Sequence, residues 1–467
     1  MHRLGTVAVG EAVPEHRCVG HDVERLTPRA LVSRGGALLD LYHQQEVLLL
    51  FHYTQIRERY KNSYLAEDVN QVIIGIDCDY LDAYEYSYSS LEQYHQQQKA
   101  IAPFAGLFGV FSYETIHFFE QIPEKTQRQY DFPAFVFANA KAYLHYSKVS
   151  KVYSFYGDEQ QYFHFLEEAN AQELSPTQEA FYQLQTDLTQ ERAHFYQMVE
   201  KAKEYIRSGD VFQVVLSEQL SLKSNLDSLD FYRYLSKANP SPYMFHFPTQ
   251  YGDVVGSSPE ILVDITGSQI HIAPIAGSRP RGKDANEDLR LEQELLADPK
   301  ECAEHRMLVD LARNDIGKFA EKGSVVVKDM MHILRYEHIM HIESHVYGTK
   351  RAEVSPFEVI SIVFPAGTLS GAPKIRAMEL IGELESFRRN VYGGGIGFLH
   401  FNGNVQLAIV IRSAFFEKVN VEQGGAKVFI QAGAGIVYDS SPEKEYEEIC
   451  HKRASVLNVF TKNCKEK

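Results

Sequence analysis

The C-terminal part of the chain contains the pattern that most restricts its fold. The residues GGGIGFLHF are followed by Asn402-Gly403 and then by NVQLAIVIRSAFF. An Asn-Gly pair between two apolar runs is the strongest short-range signal of a β-hairpin, with a type I′ turn. A further apolar run, KVFIQ, precedes the segment AGAG, which is typical of a turn. We therefore predict an antiparallel hairpin with a third strand at this end of the chain.

Helix signals are interspersed with β-rich segments in the preceding part of the chain. Asp298 can cap a helix whose first residue is a proline, and Glu301 would complete a capping box. A second helix is predicted from a cap at Thr189 to a stop at Gly209, and the last helix from a cap at Ser441. Because the strands and helices do not alternate as regular βαβ units, the pattern predicts an α+β fold.

A change of composition divides the 467-residue chain. The strand-like segment FVFANAKAYLHYSKVSKVYSFY gives way to the polar stretch EEANAQELSPTQEA. We place a boundary near residue 175, which separates an N-terminal region, 1–175, from a C-terminal domain, 176–467. The length of the chain is compatible with two domains.

Composition excludes several functional classes. The chain has 62 acidic and 47 basic residues and a net charge of -15, so we expect no nucleic-acid partner. No apolar run approaches the roughly 18–20 residues that span a bilayer, and the segment before Cys18 lacks the order of a secretory signal. These features predict a cytoplasmic protein without membrane association. The five cysteines form no C-x-x-C pair, which argues against a disulfide framework or a thiolate zinc site.

Two glutamates on predicted helices are candidate metal ligands. Glu304 shares a face with Leu308 and Leu311, and a buried carboxylate needs a cation or hydrogen-bond donors. A buried ion pair with an arginine would satisfy it equally well. Glu448 lies on the last helix, where a surface pair with Lys452 is the alternative. Two such carboxylates could together hold Mg²⁺, which usually takes one or two from a protein.

The glycine-rich segments are candidates for binding an anion through backbone N–H groups, although tight turns would explain each of them. They are IAGSRPRG, FPAGTLSGAPK, VYGGGIG and QAGAGIV, and none is a Walker A or a Rossmann fingerprint. The hairpin register places Tyr392 nearly opposite Arg412. A guanidinium there suits a bidentate carboxylate, and an internal salt bridge is equally compatible.

The remaining polar motifs are less specific. His338, His341 and His345 do not predict a metal site, because H-E-x-x-H is missing and the alternating pattern would place them on both faces of a strand. A single histidine near an anion site fits acid–base chemistry. There is no G-x-S-x-G elbow and no cysteine in the glycine-flanked setting of a glutamine amidotransferase. If ammonia is a substrate, another chain must supply it.

Together these motifs resemble the chorismate-utilising enzymes and, among them, the component I subunits of anthranilate synthase. The resemblance runs from about Gln190 to Leu457. Its motifs are GDVFQVVLSE, NPSPYMF, VGSSPEIL, PIAGSRPRG, EHRMLVDLARNDIG, MHIES, GTLSGAPKIRAMELI, YGGGIG, IVIRSA and QAGAGIVYDSSPEKEYEE. It implies a layered sandwich of two β-sheets flanked by helices, in which residues 1–175 are regulatory and residues 176–467 bind chorismate.

The resemblance also implies roles for individual residues. Glu304 and Glu448 match the Mg²⁺ ligands, Glu260 matches a general acid, and His341 and Thr368 match residues implicated in pyruvate elimination. The positions that match chorismate contacts are Gly277, Ser278, Tyr392, Arg412, Gly433, Ala434, Gly435 and Lys452.

The implied activity is the Mg²⁺-dependent conversion of chorismate and ammonia to anthranilate and pyruvate in tryptophan biosynthesis. A glutamine amidotransferase subunit would supply the ammonia. Gln213 stands where isochorismate synthases carry a lysine, and Ala276 stands where aminodeoxychorismate synthases typically carry one. Aminodeoxychorismate synthase component I remains the alternative, together with a catalytically silent scaffold that binds the amidotransferase.

Tryptophan is the candidate feedback inhibitor that the resemblance implies. In the family it lies between an L-L-E-S motif and the NPSPYM segment. Pro242, Tyr243 and Met244 are present, whereas Asp68 replaces the serine. We therefore expect weaker feedback inhibition than is typical of the family.

Overall fold

A computed structural model describes residues 38–163, 180–336, 339–418 and 425–467. The predicted boundary near residue 175, residues 1–25 and His338 lie outside these ranges. No helix in the ranges combines the length and apolar character needed to cross a membrane. The described α-helices are α1 Leu38–Arg59, α2 Tyr88–Gln97, α3 Glu159–Tyr162, α4 Leu188–Ser208, α5 Ser228–Ala238, α6 Ala285–Ala297, α7 Pro299–Gly317, α8 Pro356–Val363, α9 Lys374–Leu384 and α10 Pro442–Asn463.

The β-strands are spread along the whole described chain. They are β1 Tyr64–Glu67, β2 Gln71–Asp82, β3 Gly106–Phe111, β4 Phe135–Ser147, β5 Val152–Tyr156, β6 Phe181–Leu184, β7 Gln213–Ser224, β8 Tyr243–Pro248, β9 Gly252–Ser258, β10 Ile261–Thr266, β11 Gln269–Ile272, β12 Ile275–Pro280, β13 Val326–Arg335, β14 Ile339–Thr349, β15 Gly371–Ala372, β16 Gly395–His400, β17 Val405–Ile409, β18 Ser413–Glu417, β19 Ala426–Ile436 and β20 Lys465–Glu466. Two 3₁₀ helices cover Tyr113–Phe118 and Gly367–Leu369.

Hydrogen bonds link these strands into one network, and every pairing except β6 with β20 is antiparallel. One half runs from β13 through β14, β11, β10, β17, β16, β3 and β4 to β2, with β12 beside β14. The other half runs from β1 through β8, β9, β18 and β19 to β7. The pair β1–β2 joins the halves, so strands far apart in the sequence become neighbours.

An aromatic cluster packs the two halves face to face. Phe108 of β3 and Phe398 of β16 contact one another, and Phe108 also meets Phe247 of β8 at a ring-centroid distance of 5.4 Å. Helices α7, α8 and α9 contribute to a second apolar cluster, and α5 and α10 to a third. The predicted α+β sandwich is therefore confirmed, with helices covering layers that are continuous through β1 and β2.

The helix ends confirm some sequence predictions and correct others. Asp298 caps α7 through the backbone N–H groups of Lys300 and Glu301, as predicted, but the Glu301 carboxylate lies 3.6 Å from Arg279 rather than closing a capping box. Helix α4 is capped by Asp187 and not by Thr189, because the Asp187 carboxylate accepts from two backbone N–H groups. Its predicted stop at Gly209 is confirmed by a left-handed φ of 86°.

The C-terminal hairpin forms, with a different turn from the predicted one. The His400 carbonyl accepts from the N–H of Gly403, and only Gly403 of the Asn-Gly pair has a positive φ, 89°. The connection is thus a three-residue loop that ends in a left-handed glycine and not a type I′ turn. The predicted AGAG turn is also wrong, because these residues continue β19, which pairs with β7 as far as Ile436.

Candidate active site

The site forms where α7 and α10 approach the end of β19. Helix α7 packs on β12 and β14, and α10 lies along β19. On α7, the Glu304 Oε1 atom accepts a hydrogen bond of 2.7 Å from Gln213 Nε2 on β7. Gly435 leaves the space for this contact, because a Cβ atom there would lie 2.3 Å from Gln213 Nε2 and 3.1 Å from Glu304 Oε1. The absence of a side chain at Gly435 therefore allows the Glu304 carboxylate to approach the strand.

Glu448 and Lys452 approach the same strand from α10. The Lys452 Nζ atom lies 2.6 Å from Glu448 Oε1 and donates to the Gly433 carbonyl at 2.8 Å. The ion pair that the sequence left open is thus formed, but it is bound to β19 rather than isolated on a solvated helix face. Ala434, between the two glycines, is fully buried against β7.

The two glutamates influence each other's ionisation. Burial, followed by the charge of Glu448, raises the pKa of Glu304 to about 7. Burial also opposes ionisation of Glu448, but the charge and hydrogen bond of Lys452 outweigh it and hold the Glu448 pKa below its ordinary value. Within the described residues no arginine pairs with Glu304. The donor set is an all-oxygen one, of the kind that hard divalent cations bind.

Arg412 stands between β17 and β18 with a left-handed φ of 52°. Burial lowers the pKa of its guanidinium, while Tyr392, Glu448 and Glu260 act in the opposite direction. In the described part of the chain its side-chain nitrogens have no hydrogen-bond or ion-pair partner. The internal salt bridge is therefore not formed there, and a cation in a protein interior is left available to an anionic ligand.

Glu260, which precedes β10, is a buried carboxyl that titrates near neutrality. Its Oε1 atom accepts a hydrogen bond of 2.9 Å from the Thr368 hydroxyl. Burial raises the pKa of Glu260 to about 7, against the opposing effects of that hydroxyl and of the Ile275 backbone N–H. At neutral pH this carboxyl is close to half protonated, which is the condition for donating a proton efficiently.

His341 on β14 faces the bulged part of β12. Its Nδ1 atom lies 3.1 Å from the Gly277 carbonyl, so Nδ1 carries the proton and Nε2 is free to accept one. Burial lowers the pKa of His341 to about 4, and the ring is neutral. Gly277 has a φ of 72°, and a Cβ atom there would lie 3.1 Å from Glu301 Oε2. Ser278 follows directly opposite His341.

Two groups at the site were not predicted to act on Glu304. Gln213 binds it across 91 positions of sequence, and its own Oε1 atom is buried without a partner. Glu301 precedes Glu304 by one helical turn, and the charges of Glu301 and Glu448 act on each other. The spacing of three residues between Glu301 and Glu304 on one helix would have identified Glu301. The contact of Gln213 with Glu304 could not be found in this way, because it depends on the pairing of β7 with β19.

The residues predicted to contact tryptophan lie at a separate cavity of about 370 Å³, which Asp68, Pro242 and Met244 line. Tyr243 lines a smaller cavity beside it. The Asp68 carboxylate accepts from the backbone N–H groups of Asn70 and Gln71, which closes the turn between β1 and β2. Asp68, which replaces the serine of the family's motif, is thus already hydrogen-bonded within its own hairpin.

Among the described residues, the site thus combines buried carboxylates, a guanidinium without a side-chain partner and a neutral histidine. The chain belongs to the family described as chorismate binding enzyme, which it matches over residues 51–458. The predicted resemblance to chorismate-utilising enzymes is therefore confirmed.

The relatives it resembles are anthranilate synthase component 1 proteins. It is 49% identical over 266 residues to that of Acetivibrio thermocellus, covering 57% of this chain and 52% of the relative. It is 43% identical over 359 residues to that of Methanothermobacter thermautotrophicus, covering 75% of this chain and 73% of the relative. The match thus spans about half the length of the first relative. The crystal structure of anthranilate synthase component I from Streptococcus pneumoniae TIGR4 is similar with a TM-score of 0.70 and 32% identity, over 84% of this chain and 92% of that chain.

Proposed function

We propose that the protein converts chorismate and ammonia to anthranilate and pyruvate, as the large subunit of an anthranilate synthase. The observation that carries the proposal is the Arg412 guanidinium, which has no side-chain partner among the described residues and lies beside Glu260, a carboxyl with a pKa of about 7. A substrate with two carboxylates and a hydroxyl leaving group needs cations for the former and a proton donor for the latter. The names of the relatives support this choice of reaction.

Each end of the substrate has a partner in this arrangement. Arg412 binds one carboxylate in bidentate geometry. Glu304 and Glu448 would hold Mg²⁺, which would supply charge neutralisation for the other carboxylate. Lys452, which donates to the Gly433 carbonyl, and Gly435 of β19 lie next to the proposed metal ligands.

Glu260, His341 and Thr368 are the groups that we assign to proton transfer. Ammonia adds at the ring carbon next to the carboxylate-bearing one, and Glu260 gives its proton to the departing hydroxyl, which leaves as water. In the second stage the ring carbon that now carries the amino group loses a proton, the neighbouring C–O ether bond breaks and the ring becomes aromatic. The enolpyruvyl group leaves as enolpyruvate and takes up a proton to give pyruvate. We assign assistance in this elimination to the neutral His341, which is bonded to the Gly277 carbonyl through Nδ1, and to Thr368, which is bonded to Glu260.

The ammonia comes from a glutamine amidotransferase subunit, because this chain lacks the cysteine setting that glutamine hydrolysis requires. The cavity at Asp68 and Met244 is the place for a feedback inhibitor. Glu67 beside it is paired with Lys148 and Tyr232, so few charged groups remain for the ammonium and carboxylate of an amino acid. This supports the expectation of weak inhibition by tryptophan.

A single assay tests the activity. The purified protein is incubated with chorismate, Mg²⁺ and ammonium salt, and anthranilate fluorescence is followed. We expect anthranilate and an equivalent amount of pyruvate. Formation of aminodeoxychorismate without pyruvate would refute the proposal in favour of the sister activity, whose members typically carry a lysine at the position of Ala276, and the absence of any product would favour the scaffold.

A further inference from the structure

A second cluster of ligating side chains lies on β13 and β14. Glu343 and His345 are two residues apart on β14 and point to the same face, and His332 lies directly opposite Glu343 on β13. The Nε2 atoms of both histidines face the same Glu343 oxygen, Oε2, at 3.0 Å from His332 and 3.6 Å from His345. The three ligand atoms all lie within 4.8 Å of one another.

A bulge in β13 brings His332 to this position. The register of β13 against β14 shifts between Lys328 and His332, and within the bulge Asp329 and Met331 have left-handed φ values of 48° and 60°. The Ser344 hydroxyl oxygen accepts from the Met331 backbone N–H at 2.8 Å and fixes the distortion. Bulges of this kind re-aim a side chain at the cost of backbone strain, which points to a function for the side chain that is re-aimed.

Both imidazole rings are held by a second hydrogen bond. His332 Nδ1 lies 3.0 Å from the Asp329 carbonyl, which can only accept, so Nδ1 carries a proton, and in the neutral ring Nε2 then presents its lone pair to Glu343. His345 Nδ1 lies 2.9 Å from His271 Nε2 on β11. With the proton on His345 Nδ1, its Nε2 atom also presents a lone pair toward Glu343. An outer partner that fixes the tautomer is typical of histidines that bind metals.

We propose that His332, Glu343 and His345 bind a divalent transition metal ion such as Zn²⁺. Ligands at about 2.0–2.1 Å from a tetrahedral ion lie about 3.4 Å apart, and the two measured separations of 3.0 and 3.6 Å bracket this value. The side chain of His332 is 36% exposed and that of His345 is 23% exposed. Solvent can therefore deliver the ion and supply the remaining ligands.

This site differs in chemistry from the one at Glu304 and Glu448. Imidazole nitrogens favour Zn²⁺, Co²⁺ or Fe²⁺ over Mg²⁺, whereas an all-carboxylate site favours Mg²⁺. The sequence prediction that His338, His341 and His345 form no metal site rested on spacing within one strand. The proposed site uses only the last of these, and its other ligands come from a neighbouring strand and from a glutamate.

Zn²⁺ binding to the full chain tests the proposal. The protein is freed of metals with a chelator, dialysed, and titrated calorimetrically with Zn²⁺ in the presence of excess Mg²⁺, which occupies the carboxylate site. We expect one saturable equivalent of Zn²⁺. His332→Ala and His345→Ala should each weaken its binding by more than about tenfold, since loss of an outer partner alone costs about 10- to 100-fold. His271→Leu should weaken it by about tenfold.

The matched control is His117→Gln. His117 also contacts a glutamate, Glu114, at 3.5 Å, but has no second histidine there, and its replacement should leave Zn²⁺ binding unchanged. If a histidine variant unfolds, Glu343→Gln preserves the shape of the cluster and must still lose more than about tenfold in affinity. Zn²⁺ binding that is equal in the wild type, His332→Ala and Glu343→Gln, or no saturable equivalent in the wild type, would overturn the proposal.

Discussion

Replacing Thr368 by valine tests the role of Glu260 as proton donor. Valine has nearly the shape of threonine but removes the hydroxyl that donates to Glu260 Oε1 at 2.9 Å. The hydroxyl stabilises the ionised carboxylate and so lowers the pKa of Glu260. Removing it must raise that pKa.

The magnitude follows from the strength of the bond. A hydrogen bond to a charged group contributes about 1.5 kcal/mol or somewhat more, and about 1.4 kcal/mol corresponds to one pH unit. The pKa of Glu260 is about 7 in the wild type, and we expect about 8 in Thr368→Val. A general acid is active when protonated, so activity falls as pH rises through its pKa. The alkaline limb should therefore move to higher pH by about one unit.

The assay is the pH dependence of kcat/KM for chorismate, which reports groups of the free enzyme. Anthranilate fluorescence is followed from pH 6 to pH 9 or so, at a constant concentration of unprotonated ammonia, because that concentration itself changes with pH. Thr368→Ser retains a hydroxyl and should keep the wild-type limb. A lower plateau in either variant is compatible with a further role of Thr368 in elimination and does not affect the position of the limb.

An alkaline limb that is the same in Thr368→Val and in Thr368→Ser would refute the reasoning. It would mean that Glu260 does not limit the rate through its protonation. A limb that moves to lower pH in the valine variant would contradict the sign of the hydrogen-bond effect.

The other predictions concern the metal ligands, substrate binding, stability and regulation. Glu304→Gln should abolish turnover at saturating chorismate, and retained activity with unchanged Mg²⁺ dependence would contradict the metal role. Arg412→Gln should lower kcat/KM for chorismate by about 30-fold or more, because losing a buried charged pair costs about 2 kcal/mol or more. Arg412→Lys keeps the charge but not the paired donors, so its kcat/KM should lie between those of the wild type and Arg412→Gln, and a wild-type value would argue against bidentate binding. Arg453 makes two bonds of 2.7 Å to Glu191, and both are only 3% exposed, so Arg453→Met should lower the free energy of unfolding by about 3–5 kcal/mol in urea titrations. Adding Glu191→Gln should restore part of this, and no recovery would show that the cost is not the unpaired carboxylate. Tryptophan should inhibit weakly, because Asp68 is used by its turn; half-inhibition at low micromolar tryptophan would contradict this.

Local signals predicted the existence of helices and strands more reliably than the details of their ends and turns. The cap at Asp298, the stop at Gly209 and the hairpin at Gly403 all formed. Each depends on a few neighbouring residues and on backbone hydrogen bonds that close within one turn. The errors were also local: Asp187 accepts from the N–H groups of Thr189 and Gln190, so the helix begins before Thr189, which lies in its first turn.

The candidate site was predicted as a set of residues but not as an arrangement. Glu304 was identified from its helical face, and Tyr392 with Arg412 from hairpin register. The sequence could not decide whether Arg412 has an internal partner, because that depends on every element packed around it. The structure leaves it without one in the described residues, close to Glu448 and Glu260 from two other parts of the chain.

The class of fold, the positions of the main elements and the residue types available for chemistry were therefore predictable from the amino-acid sequence. Helix caps, turn glycines and apolar periodicity act over a few residues and can be read directly. The tertiary structure decided which groups meet: Gln213 with Glu304, Thr368 with Glu260, and His332 with Glu343. These contacts depend on pairing between strands distant in the sequence and on a bulge in β13, and the same pairing buries Glu260 enough to bring its pKa to about 7.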